Sequence, residues 1–170
     1  ELGALLAGIP AASPAIVHLG YAASSVERAL DAYGYVIPRV EGSPFIACTW
    51  TSSKWEGRAP QGMVLLRLYA GRAGGPEPGS NEDLLLAARE ELAETLGIRA
   101  APVLTRIHRW ERGMPQYTLE HPRRRSAIGT RLEEIPGLYL AGASYRGVGI
   151  PDCIESGAEA ARAAIHQLAR

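Results

Sequence analysis

Between Ala15 and Gly71, four apolar runs rich in β-branched and aromatic residues follow one another with little chain between them. They are AIVHLGY (Ala15 to Tyr21), YGYVIPRV (Tyr33 to Val40), PFIACTWTSSKW from Pro44, and GMVLLRLYAG from Gly62. Runs of this kind form strands. A parallel pair needs a crossover of about a dozen residues or more, and EGRAPQ, between the last two runs, is only a polar turn. The spacing therefore predicts an antiparallel sheet, to which APVLTRIHRWE (Ala101 to Glu111) adds a later strand.

Helical patterns lie outside these runs. ELGALLAGI is a short helix stopped before Pro10. NEDLLLAAREELAETLGI is the clearest helix, placing Leu85, Ala88, Leu92 and Leu96 on one face. Ser80 and Asp83 have the spacing of a capping box, with Asp in place of its usual Glu or Gln, and Gly97 stands at the C-cap. HPRRRSAIGTRLEEI is a helix whose basic half lies at its less favourable end. GLYLAG reads as a buried strand, and Asp152 to Ala169 as the last helix, with Ala158, Ala161, Ile165 and Leu168 on one stripe. Gly157, beside that stripe, implies close packing, because Gly inside a helix costs about 1 kcal/mol against Ala.

Eighteen basic and eighteen acidic residues cancel, so no net field favours nucleic acid or an anionic membrane. Cys48 and Cys153 are too few for a disulfide framework, which implies a reducing, cytoplasmic setting and leaves peripheral membrane attachment open. Glu1 to Ala23 is nearly uncharged, but Pro10, Pro14 and His18 interrupt it and no basic stretch precedes it, unlike a membrane span or signal peptide. With no initiator Met, the chain is expected to be the later part of a longer protein. His108 and His121 lack the spacing of metal ligands, so no metal site is expected.

The segment AGASYRGVGIPDCIESGAEAARAA (Ala141 to Ala164) places Gly142, Gly147 and Gly149 between an apolar run and a small-residue helix. Glycines let backbone N–H groups approach a ligand, and a helix N-terminus presents partial positive charge. The spacing is neither G-x-G-x-x-G nor a phosphate loop, so by itself it fits a tight connection equally well.

In its wording, LYLAGASYRGVGIPDCIESGAEAA resembles the C-terminal signature of the oxygen-dependent protoporphyrinogen oxidases, within the flavin-containing amine oxidase superfamily. IVHLGY, YGYVIPRVEG, ACTWTSSKWEGRAPQGMVLLRLYAGR and RWERGMPQYTLEH look like successive segments of the same family in order. The resemblance implies a mixed α/β (α+β) fold: an antiparallel substrate-domain sheet, then the C-terminal strand and helix of a Rossmann-like FAD-binding domain. Residues 1–112 would be the later substrate domain and 113–170 would return to the FAD domain. It further implies FAD as cofactor, a porphyrinogen and O₂ as reactants, and the missing N-terminal half of the same protein as partner. The implied activity is six-electron oxidation of protoporphyrinogen IX in haem biosynthesis. By carry-over, Val148, Gly149 and Ile150 line the flavin ring, Gly142 passes its ribityl–phosphate chain, and Trp110 packs near the cofactor.

Other readings stay open at this point. Coproporphyrinogen III oxidation, another amine-oxidase-like flavoprotein and a non-catalytic interaction module are the alternatives. Trp110, Pro115 and Tyr117 fit either core packing or a cofactor or substrate contact. Asp152 reads as an N-cap or first-turn acid, Cys153 as a small packed thiol, and His121 as a hydrogen-bonding residue. Arg123, Arg124 and Arg125 read as a solvated face. Arg39, Arg58 and Arg67 are each candidates to clamp a propionate, and nothing in the sequence chooses among them. The chain alone is expected to bind FAD weakly, to be inactive and to self-associate.

Overall fold

A computed structural model describes residues 1–169. In chain order its elements are α1 (Leu2–Ala7), β1 (Ala11–Ala12), β2 (Ala15–Ala22), β3 (Gly34–Val36), β4 (Phe45–Trp50), α2 (Thr51–Lys54), β5 (Met63–Ala70), α3 (Asn81–Leu96), β6 (Leu104–Arg109), β7 (Met114–Pro115), α4 (His121–Glu133) and α5 (Ile150–Leu168). The chain forms two compact units, Ala12–Gly113 and a second made of Glu1–Ala11 with the segment from Met114 onward. The first eleven residues thus group with the later segment, whereas the sequence places them with the substrate-domain piece.

The Ala12–Gly113 unit is a mixed α/β body built on a five-stranded sheet in the order β3-β4-β5-β2-β6. Every pairing in it is antiparallel, as the short connections predict. Strand alternation sends Val17, Leu19 and Tyr21 of β2 and Leu66 and Leu68 of β5 to one face, where they are fully buried. α3 contributes Leu84, Ala88, Leu92 and Leu96 to the same core. The spacing predicts Leu85 on this face, but four-residue steps from Leu96 arrive at Leu84, and Leu85 packs only at the margin. Burying a Leu of this kind stabilises by about 1.5–3 kcal/mol relative to exposure, so α3 is held mainly by its apolar stripe.

The ends of α3 are as the residues dictate. Ser80 Oγ accepts the Asp83 N–H at 3.1 Å, and Asp83 Oδ2 accepts the Ser80 N–H at 3.1 Å. Gly97 adopts φ +70° and donates its N–H to Leu92 C=O, a left-handed stop that favours glycine. β4 ends earlier than its run of residues implies, because Thr51–Lys54 turn into α2.

In the second unit, α1 packs on α4, and Arg131 of α4 ties Glu1 at 2.7 Å and Glu134 at 2.8 Å. Two expectations fail here. Gly137–Gly142 forms no strand, since a strand needs a neighbouring strand to take its N–H and C=O groups and none of the described strands pairs with it. Ala158, Ala161, Ile165 and Leu168 do share one side of α5, and that side is exposed, while Ser156 is its buried residue. Nothing lies within 4 Å of a Cβ placed on Gly157, so close packing at that glycine is absent among the described residues.

Candidate cofactor-binding site

The glycine turn is held by its own unit. Gly142 adopts φ +106° and Gly147 φ +84°, which side chains resist, and Gly149 is the extended N-cap of α5. Gly142 N–H donates to Ser156 Oγ at 2.8 Å, anchoring the start of the loop to the buried face of α5. Gly149 N–H donates to Asp152 Oδ2 at 3.1 Å, so Asp152 is the first-turn acid its position predicts.

A second anchor comes from the segment before α4. The rings of Tyr117 and His121 stack with centroids 3.8 Å apart and planes at 9°. Tyr117 Oη donates to Ala143 C=O at 2.6 Å, and His121 Nε2 lies 3.2 Å from Tyr145 C=O. Burial raises the Tyr117 hydroxyl above its ordinary value despite a hydrogen bond from the Gly147 backbone, which keeps it a neutral donor. The stack therefore grips both halves of the turn. The four-residue spacing of Tyr117 and His121 is the sequence signal for this brace, but it does not reveal the target.

The glycines divide by purpose. A Cβ on Gly147 or Gly149 would come within 2.5 or 2.9 Å of the Asp152 side chain, so both make room for the chain's own carboxylate. A Cβ on Gly142 would meet nothing within 4 Å. That glycine alone borders open space.

These residues fit a flavin on the donor side. Val148 N–H has no partner among the described residues, and Ile150 N–H is a first-turn amide with none inside the helix. Pro151 removes the next amide. Two free donors, on either side of the Gly149 amide that Asp152 takes, thus stand at the positive end of α5, flanked by the side chains of Val148 and Ile150, 60% and 78% exposed. Such an edge suits the electron-rich carbonyl and ring-nitrogen side of an isoalloxazine. The Gly142 and Gly149 amides are already used within the turn, so their part is to shape it.

Of the expected cofactor residues, the structure brings Gly142, Val148, Gly149 and Ile150 into one turn. Trp110 belongs to the sheet unit, where its backbone N–H donates to Pro14 C=O at 3.0 Å. The residue is 56% exposed. Cys48 is a buried core residue, whereas Arg123 and Arg125 are exposed.

Comparison with known proteins decides the family. Residues 4–165 match the model of the flavin containing amine oxidoreductases. The chain belongs to that family. It is 39% identical over 159 residues to a coproporphyrinogen III oxidase of Bacillus subtilis, covering 92% of this chain and 34% of that protein. It is 31% identical to human protoporphyrinogen oxidase over 170 residues, covering 94% of this chain and 35% of that protein. Among solved structures, it resembles a protein from Exiguobacterium sp. 255-15, provisionally assigned as a protoporphyrinogen oxidase, with TM-score 0.79 and 29% identity over 96% of this chain and 36% of that one. The family member thus spans about a third of the length of the relatives it matches.

Proposed function

We propose that these residues are the C-terminal part of a larger FAD-dependent enzyme that oxidises a porphyrinogen to a porphyrin in haem biosynthesis. One observation carries the reading: a turn with two unpaired amides at a helix N-terminus lies in a chain that porphyrinogen oxidases match over more than nine-tenths of its length. The overall reaction removes six hydrogens and consumes three O₂, which leave as three H₂O₂.

FAD, when bound, supplies the two-electron acceptor for each round. The Val148 and Ile150 amides and the α5 dipole offer partial positive charge to an electron-rich ring edge. Ser156, Asp152 and the Tyr117–His121 stack hold the turn in that form. Trp110, exposed at the end of β6, offers an aromatic face to cofactor or substrate. No general base is assigned in this chain. A cytoplasmic location accompanies the reading.

Relatives act on two related substrates by name, coproporphyrinogen III and protoporphyrinogen IX. The test is porphyrin fluorescence in air with the full-length protein and each porphyrinogen side by side, corrected for autoxidation. Rapid oxidation of either supports the proposal, and the ratio of kcat/KM between them names the substrate. Bound flavin with oxidation of neither would refute it.

A further inference from the structure

The sheet unit has a second face, opposite the α3-covered core, and the pairing register places basic side chains along it. Thr49 pairs with Arg67, Arg67 with His18, and His18 with Arg106, forming one row across β4, β5, β2 and β6. In the next row, Tyr69 pairs with Ile16 and Ile16 with His108. Directly opposed residues share a face. Three basic side chains therefore lie side by side with an apolar and aromatic row along one flank.

Arg67 and Arg106 flank His18 in this row, and gathering like charges on one sheet face costs stability unless something compensates them. No carboxylate compensates it: neither Arg67 nor Arg106 forms an ion pair among the described residues. Arg106 spends one donor on the neighbouring Thr105 C=O, at 2.9 Å, whereas Arg72, Arg109 and Arg28 serve the fold over longer range. Arg72 donates to Ile37 and Phe45 C=O, Arg109 binds Asn81 and the Pro78–Gly79 carbonyls, and Arg28 reaches Thr95 C=O. Arg67 instead lies over the Tyr69 ring at 4.9 Å and near Trp55 at 6.0 Å, and its buried Nε has no hydrogen-bond partner. Stacking fixes the guanidinium plane and leaves its donors unused. His18 and His108 meet edge-to-face at 5.6 Å.

We infer that the row Arg67–His18–Arg106 binds a carboxylate of the substrate, with Ile16 and Tyr69 lying under its apolar body. The inference rests on the porphyrinogen-oxidase reading and goes further by choosing the clamp. Of the three arginines that sequence leaves equal, Arg67 is the binder. Arg39 lies exposed with one long hydrogen bond to Ala73 C=O, and Arg58 sits in an exposed turn. A fixed guanidinium meets a carboxylate with two parallel N–H groups, and exposed Arg106 adds a second charge across the row.

The test uses the full-length flavoprotein and measures binding without turnover, by titrating coproporphyrin III and its tetramethyl ester against wild type, R67Q, R106Q and R58Q. The free acid is expected to bind at least about tenfold more weakly to R67Q and several-fold more weakly to R106Q. R58Q, which removes the same charge elsewhere, stays within about twofold of wild type, and the ester binds all four proteins alike. R67K, with charge but no fork, falls between wild type and R67Q. Should R67Q lose its flavin, R106Q decides alone. Equal binding of the free acid to wild type, R67Q and R106Q would overturn the inference while the oxidase reading stands. If wild type oxidises neither porphyrinogen and binds neither porphyrin, the oxidase reading itself fails.

Discussion

The Asp152 carboxylate occupies the space that a side chain on Gly147 would need: a Cβ there would lie 2.5 Å from Asp152 Cβ, Cγ and Oδ2. Gly147 also holds φ +84°, so an added methyl meets both backbone strain and a clash. Gly147→Ala is expected to destabilise by about 1–3 kcal/mol, read from thermal unfolding. Asp152→Gly should remove the Gly149 N–H acceptor together with the Cβ, Cγ and Oδ2 that a side chain at 147 would meet, so the double variant should be less unstable than the two losses added. Strict additivity would show that the two residues do not share this space.

At the start of α3, Ser80 and Asp83 satisfy each other's backbone N–H groups. Ser80→Ala leaves the Asp83 N–H without its acceptor. The expected loss is about 1 kcal/mol in urea unfolding with an unchanged m-value. A loss below about 0.3 kcal/mol would mean that water caps this helix as well as the hydroxyl does.

What could be seen in the sequence followed the range of the interactions involved. α3 was legible because its caps and its stripe from Leu84 to Leu96 lie within one segment, although the pattern does not separate Leu84 from Leu85. The antiparallel sheet was legible from short connections. The row Arg67–His18–Arg106 was not, since register between distant strands decides which side chains meet. Gly137–Gly142 looked like a strand by composition, but a ladder depends on a neighbour that composition does not reveal. In the turn, glycines that admit a ligand and glycines that admit Asp152 look identical. Only built geometry separates Gly142 from Gly147 and Gly149.

Cys48 is buried in the core, and loss of water pushes its thiol up to about 12. At pH 8 it holds almost no thiolate, the form that alkylates. Iodoacetamide is expected to label the half-exposed Cys153 and to spare Cys48 until urea unfolds the chain. Equal labelling of both in native protein would contradict the buried position of Cys48.

His18 is held below its ordinary value of 6.5, first by burial and then by repulsion from Arg67 and His108. The unfolded chain therefore binds more protons than the folded one just below pH 6.5. The stability this gives is complete above 6.5 and is lost as pH falls through the lower folded value. His18→Gln should flatten the fall in Tm between pH 7 and 5, with Arg67, Arg106 and His108 left in place. An unchanged slope would show that His18 does not titrate differently on folding.

The chain by itself has no G-x-G-x-x-G segment to hold a pyrophosphate, and its α5 leaves Ile154, Ile165 and Leu168 exposed, the last at 87%. Apolar surface of this extent on one helix favours association. Purified alone, the 170-residue chain is therefore expected to carry no stoichiometric FAD by its visible spectrum and to show a concentration-dependent mass in sedimentation. Adding the remaining segment of the protein as a separate polypeptide should restore flavin binding and reduce self-association. Tight FAD on the isolated chain would show that the Gly142–Ile150 turn holds the cofactor without the rest of the protein. A monomer at all concentrations would show that the exposed face of α5 needs no cover.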